Sequence, residues 1–218
     1  MKLFYFYNNS DNILKLKDQF ENSIPDDLQP YPIIVDNHFC QQYHGGAYYG
    51  WLCKYETILK GFYNTKQDEY FIFSDIDIKF YSTITDKIDY HKDIYFQQET
   101  AIHSDINIGF IIIKNCKRNI DFWHHANKII EQHKYMSSNN CYKINHKKGS
   151  GSGQFIINDL LKDKYNIYWD RLPLSFWSKS IGMEYLSKNI IIHHANAIYG
   201  AKQKLEHLQY ISQLVGRL

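Results

Sequence analysis

Asp75 and Asp77 stand two residues apart, directly after the apolar run Phe71-Ile72-Phe73 and Ser74. In extended chain, residues i and i+2 lie on the same side. Two carboxylates held on one side repel each other unless a cation sits between them. Oxygen donors suit Mg2+ or Mn2+, and an added imidazole tilts the choice toward Mn2+. The C-terminal end of a strand is also where open α/β sheets place ligands. A bare Asp-x-Asp is a common tripeptide that serves equally well as a solvated strand end, so its meaning depends on context.

Four segments supply that context. Lys54 lies in a helical stretch ahead of the pair. Beyond it, Asp105-Ile106-Asn107-Ile108-Gly109 leads into an apolar run ending at Lys114. Gly153-Gln154 opens another apolar stretch. Near the end, Ile192-His193-His194-Ala195-Asn196 is followed by Gly200, Lys202 and Lys204. A second His-His-Ala-Asn, at 124–127, lies on a helical stretch beside Trp123, and its histidines read as surface or packing residues.

The elements that must position these side chains alternate. Apolar runs bounded by turn residues predict strands over 2–7, 33–35, 71–73, 94–97, 108–114 and 190–192. Helical periodicity predicts helices over 12–20, 47–62 (stopping near Gly61), 122–134, 155–161 and 202–214. Pro25, Pro30 and Pro32 mark a loop. Strands alternating with helices indicate an α/β domain with a largely parallel central sheet flanked by helices. The run 108–114 is apolar nearly throughout, as in a strand buried on both faces. Residues 137–153 break the pattern, and Gly149 to Gly153 form a candidate lid.

With 218 residues, the chain is expected to fold as a single domain, 1–218. Its 25 Lys and Arg nearly balance 23 Asp and Glu, for a formal charge of +2. That balance gives no basic stripe for a nucleic acid. Cys40, Cys53, Cys116 and Cys141 have neither metal-knuckle spacing nor the density of a disulfide framework, so reduced thiols and a cytoplasmic setting are expected. The apolar N-terminus stops at Asn8, too soon for a signal h-region of roughly 7–15 residues. No run reaches the ~18 apolar residues of a membrane span.

The order Ser74-Asp75-Ile76-Asp77, Asn107-Ile108-Gly109 with its apolar run, and His194-Ala195-Asn196 with Gly200 and Lys202 resembles glycosyltransferases of the GT-A fold. The likeness is to the retaining galactosyl- and xylosyl-transferase-like group, and it covers roughly 51–205. It implies a Rossmann-like GT-A domain using Mn2+ or Mg2+ and a UDP-sugar donor. Residues to about 115 would bind the nucleotide; those from about 116 would complete the metal site and receive a glycan, protein or small-molecule hydroxyl acceptor.

The resemblance also implies roles. Asp75 would contact the ribose or the metal, Asp77 would be the firm metal ligand, and His194 the third. His193 would point the other way. Lys202 or Lys204 would reach the diphosphate, with Gly200 and Asn196 in the same block. Lys54 would touch phosphate or sugar, and Tyr7 would stack on the base. Asn107 would contact sugar or acceptor, with Gly109 admitting a close backbone. Gln154 would steady the oxocarbenium-like centre. Gly153 departs from the pattern, because relatives carry there an aspartate that binds donor-sugar hydroxyls; Asp105 is a candidate substitute. An inverting reaction would need a carboxylate base, and Asp105 and Glu99 are the candidates. The segment around 171–181, with Pro173, Phe176 and Trp177, would offer a sugar platform or ordinary core. Two other readings are a catalytically degenerate nucleotide-sugar or glycan-binding module and a nucleotidyltransferase making NDP-sugars.

Overall fold

The computed structural model describes residues 1–36, 46–99, 105–132, 143–144, 147–148, 153–162, 165–178, 189–196 and 198–216. Its centre is a six-stranded sheet in the order β2-β1-β3-β6-β5-β9. The strands are β1 (Lys2–Tyr7), β2 (Gln29–Ile34), β3 (Tyr70–Ser74), β5 (Ile94–Gln98), β6 (Ile106–Lys114) and β9 (Trp169–Arg171). β6 is antiparallel to both its neighbours, while the other three pairings are parallel, so five of the six strands share one direction. A second sheet holds β10 (Phe176–Ser178), β11 (Ile192–His194) and β4 (Ile78–Phe80), in that order. A two-stranded ribbon pairs β7 (Lys143–Ile144) with β8 (Lys147–Lys148).

Side-chain alternation along the strands builds two cores. Phe4, Phe71, Phe73, Ile111 and Ile113 face α2 (Gly46–Asn64), α3 (Lys117–Gln132) and α4 (Gly153–Lys162). Leu3, Tyr5, Ile72, Phe110 and Ile112 face the other way, toward α1 (Asp11–Glu21), α5 (Ala201–Val215) and the small sheet. β6 is buried from Ile106 to Ile113, which explains its unbroken apolar sequence.

Three expectations change. The second strand begins at Gln29 and includes Pro30 and Pro32. It lies at the sheet edge, where a residue without an N–H is tolerated. The helix expected to stop near Gly61 runs on to Asn64; at Gly61 it presses on Phe71, where a Cβ would lie 2.3 Å from the ring. The last strand starts at Ile192 rather than 190, because Ile192, His193 and His194 pair with Phe80, Lys79 and Ile78 of β4. The lid segment 149–152, Cys40, Cys141 and positions 179–181 lie outside the described residues; Cys53 is buried and Cys116 half-buried. Among the described residues, no helix is long and apolar enough to cross a membrane.

Candidate metal and nucleotide site

The acidic pair sits where two sheets meet. The Asp75 N–H donates to the Gly109 carbonyl at 2.7 Å, which carries the β3–β6 pairing one residue past the strand. The Asp77 carbonyl accepts the Ala195 N–H at 2.9 Å, and β4 then pairs with β11 so that Ile78 lies opposite His194. This register brings His194 across 117 residues of chain to the acidic pair. Its Nε2 is 3.3 Å from Asp77 Oδ1 and 3.9 Å from Asp75 Oδ2. One ligand atom from each of the three residues lies within 4.8 Å of the other two. Two carboxylate oxygens and one imidazole nitrogen are a donor set that fits Mn2+ or Mg2+.

Cationic side chains flank both carboxylates. Lys54 Nζ, almost fully buried, donates to Asp75 Oδ2 at 2.8 Å. Lys204 Nζ donates to Asp77 Oδ2. Burial opposes ionisation of Asp77, but His194 and Lys204 outweigh it and hold the carboxyl far below the usual carboxylate range. For Lys204, burial pulls the pKa down, but Asp77 outweighs it and raises the ammonium above its ordinary value. Asp77 and Lys204 therefore form a charged pair at neutral pH.

His194 is oriented from behind. Its Nδ1 lies 2.9 Å from Gln97 Oε1, while Gln97 Nε2 donates to the Phe176 carbonyl at 3.0 Å. The carbonyl fixes the amide so that its oxygen faces the ring. Nδ1 then carries the proton, and Nε2 is directed at the carboxylates. Gly109 makes room: a Cβ there would lie 2.2 Å from His194 Cε1. The close approach at Gly109 is therefore made by the His194 ring rather than by a backbone.

A pocket of about 320 Å³ opens beside this centre. Phe6, Tyr7, Asn8 and Val35 line it together with Asp75, Asp77, Gly200 and Lys204. Its size is within the ordinary range for a small-molecule site. Gly200 enters α5 with φ +85°, a conformation that favours glycine.

The remaining expected residues separate into groups. Tyr7 lines the pocket, as does Gly200, whereas Lys202 is on the surface and reaches toward Glu206 at 3.9 Å. Asn107 Nδ2 donates to Glu99 Oε2 at 2.5 Å, and its Oδ1 accepts the Gly109 N–H. Asn196 Nδ2 lies 3.2 Å from each Glu99 oxygen. Both amides thus converge on Glu99. Asp105 turns to the surface, 3.5 Å from Lys162. Gln154 is half-buried at the start of α4. His193 points away from His194 and stacks on Trp177 with ring centroids 4.4 Å apart. Phe176 and Trp177 are buried, so they are core. His124 and His125 are exposed, with His125 stacked on Tyr165.

The sequence matches no protein-family model and no curated protein. Solved structures do match. A glycosyltransferase involved in glycosylation of the major capsid of PBCV-1 superposes with TM-score 0.63 at 12% identity, covering 96% of this chain and 98% of that one. The galactosyltransferase LgtC, in complex with donor and acceptor sugar analogs, gives 0.55 at 10% identity, over 100% and 96%. The glycosyltransferase GlyE of Streptococcus pneumoniae gives 0.58 at 13% identity; this chain spans 98% of itself but 64% of GlyE.

The fold is GT-A.

Within this GT-A domain, two contributors escaped the sequence reading. Gln97 has a sequence signal, since the polar Gln97-Gln98 close an otherwise apolar strand. Trp51 has none beyond its position one turn before Lys54; its ring centroid is 4.7 Å from Lys54 Nζ.

Proposed function

We propose that this chain is a metal-dependent glycosyltransferase that moves a hexose or pentose from a UDP-sugar to an acceptor hydroxyl, with retention of configuration. One observation carries the reading: within a GT-A fold, Asp75, Asp77 and His194 converge from distant parts of the chain beside Lys204 and an open pocket. Asp75, Asp77 and His194 would hold Mn2+ or Mg2+. When bound, such an ion supplies Lewis-acid stabilisation to the leaving diphosphate.

The chain's own groups do the rest. Tyr7 and its neighbours provide a wall for the nucleoside, and Lys204 lies at the same pocket as a point charge for the diphosphate. The first half of the chain gives the nucleoside wall and the acidic pair, and the second half gives His194 and Lys204. In the transfer, the bond from the anomeric carbon to the diphosphate oxygen breaks, and a bond to the acceptor oxygen forms on the same face. The acceptor proton passes to the departing phosphate oxygen, so no protein base is required. Glu99, held by the amides of Asn107 and Asn196, is suited to accepting hydrogen bonds from a sugar or acceptor hydroxyl.

The test is UDP release from a panel of UDP-sugars with Mn2+, using wild type and Asp77→Ala. Metal-dependent release that Asp77→Ala abolishes is expected, and the product anomer read by NMR should match the donor's. Binding without turnover for every donor would instead favour a nucleotide-sugar-binding module, the reading to which Gly153 lends support.

A further inference from the structure

Gly153 lacks the side chain that the resembling enzymes place there, and the structure shows what fills the space. A Cβ on Gly153 would lie 2.9 Å from Tyr55 Cε2 and 3.1 Å from Trp51 Cε3. The Tyr55 hydroxyl also donates to the Gly153 carbonyl at 2.7 Å, which fixes the first residue of α4 against α2. An aspartate at this position would have to displace two aromatic rings, one of them fully buried. The absence of a carboxylate is therefore built into the packing, and a ring stands at the place it would occupy.

That ring is well situated. Trp51 is only partly buried, and Gly50 beside it lines the nucleotide pocket. Its centroid is 4.7 Å from Lys54 Nζ, which is itself 2.8 Å from Asp75. Tyr7 and Val35, the proposed nucleoside wall, line the same pocket as Asp75 and Asp77. Trp51 lies between Lys54 and Gly153 at the start of α4. Lys54 Nζ touches both Asp75 and the Trp51 ring, so a sugar on a diphosphate held at Asp75 and Asp77 and extending past Lys54 would reach Trp51.

We infer that Trp51 is the platform for the donor sugar, which lays a C–H face of its pyranose ring on the indole in place of a carboxylate–hydroxyl pairing. The inference rests on the transferase reading above. The recognised class is a nucleoside-diphosphate sugar with an unbroken C–H face, read by shape. An apolar surface discriminates weakly between sugars that differ by one hydroxyl, whereas a site built to pair with that hydroxyl discriminates strongly. The donor range is accordingly broader than a carboxylate would permit.

The test separates sugar from nucleotide. Affinities for UDP, UDP-galactose, UDP-glucose and UDP-xylose are measured by calorimetry with MnCl2 for wild type, Trp51→Phe and Trp51→Ala. Wild type should bind the best UDP-sugar more tightly than UDP. Trp51→Ala should remove that increment, weakening UDP-sugar binding about 3- to 10-fold more than UDP binding. Trp51→Phe, which retains an aromatic face and the helix packing, should keep most of it. Equal loss for UDP and UDP-sugar, no loss for either, or a wild type that binds UDP and every UDP-sugar alike would overturn the platform and leave the transferase reading standing. A wild type that binds neither UDP nor UDP-sugar overturns both.

Discussion

Lys204 donates to the same Asp77 carboxylate whose other oxygen faces His194 Nε2 at 3.3 Å. Lysine and the proposed metal would therefore compete for one anion. Removing the lysine leaves the carboxylates less neutralised, so Lys204→Met should bind Mn2+ alone about 5-fold more tightly, a change of about 1 kcal/mol. The same variant should bind UDP more weakly, because the diphosphate loses its point charge. Mn2+ titration by electron paramagnetic resonance, without nucleotide and then with UDP, measures both. Weaker binding of Mn2+ alone would show that Lys204 supports the site rather than competing for it.

His194 depends on Gln97 for its orientation. Replacing Gln97 with Leu removes the acceptor at 2.9 Å from Nδ1 and frees the ring's tautomer. Loss of such a supporting partner costs roughly 10- to 100-fold in metal affinity. The expected signature is weakened Mn2+ binding in a protein with an unchanged far-ultraviolet circular dichroism spectrum.

At Gly109 the limit is space. A methyl group there would sit 2.2 Å from His194 Cε1, and that ring is wedged between strands. Gly109→Ala should destabilise the fold by about 1–3 kcal/mol through overpacking and also impair metal binding. Urea denaturation gives the first quantity. If stability and Mn2+ affinity both hold at wild-type levels, the assigned seat of His194 is wrong.

Much of this arrangement is legible in the sequence. The apolar runs Phe71-Ile72-Phe73 and Phe110-Ile111-Ile112-Ile113 place β3 and β6, and with them the acidic pair. What the sequence does not carry is register. His194 reaches Asp77 only because β11 pairs with β4, a three-residue strand with too short an apolar pattern to be distinguished. The same limit explains Lys202 and Lys204: both follow Gly200, and only the helical turn of α5 sends one to the pocket and the other to solvent. The prolines at 30 and 32 misdirect for a related reason, because tolerance of proline depends on being at an edge.

Away from the site, Asp27 links the loop before β2 to residues 84–85. Its Oδ2 accepts the Ile84 N–H at 2.9 Å, the Thr85 N–H at 2.7 Å and the Thr85 hydroxyl at 2.9 Å. Burial raises its pKa, but these donors outweigh that and lower it overall. A folded pKa below the unfolded value gives stability that is present above the unfolded pKa of about 3.9 and is lost as pH falls through the folded pKa. Asp27→Asn should therefore cost about 1 kcal/mol at pH 7, with the gap from wild type closing in strong acid. Urea midpoints at pH 7 and below pH 3 check the sign; a gap that widens in acid would contradict it.

The most direct test of the central claim is calorimetric binding of UDP to wild type and Asp77→Ala, each in Mn2+ and in EDTA. The Asp75, Asp77 and His194 site predicts UDP binding by wild type in Mn2+, large loss in EDTA, and the same loss in Asp77→Ala whether or not metal is present. UDP binding that is equal in Mn2+ and EDTA, or unaffected by Asp77→Ala, would contradict a metal and diphosphate site at this acidic pair.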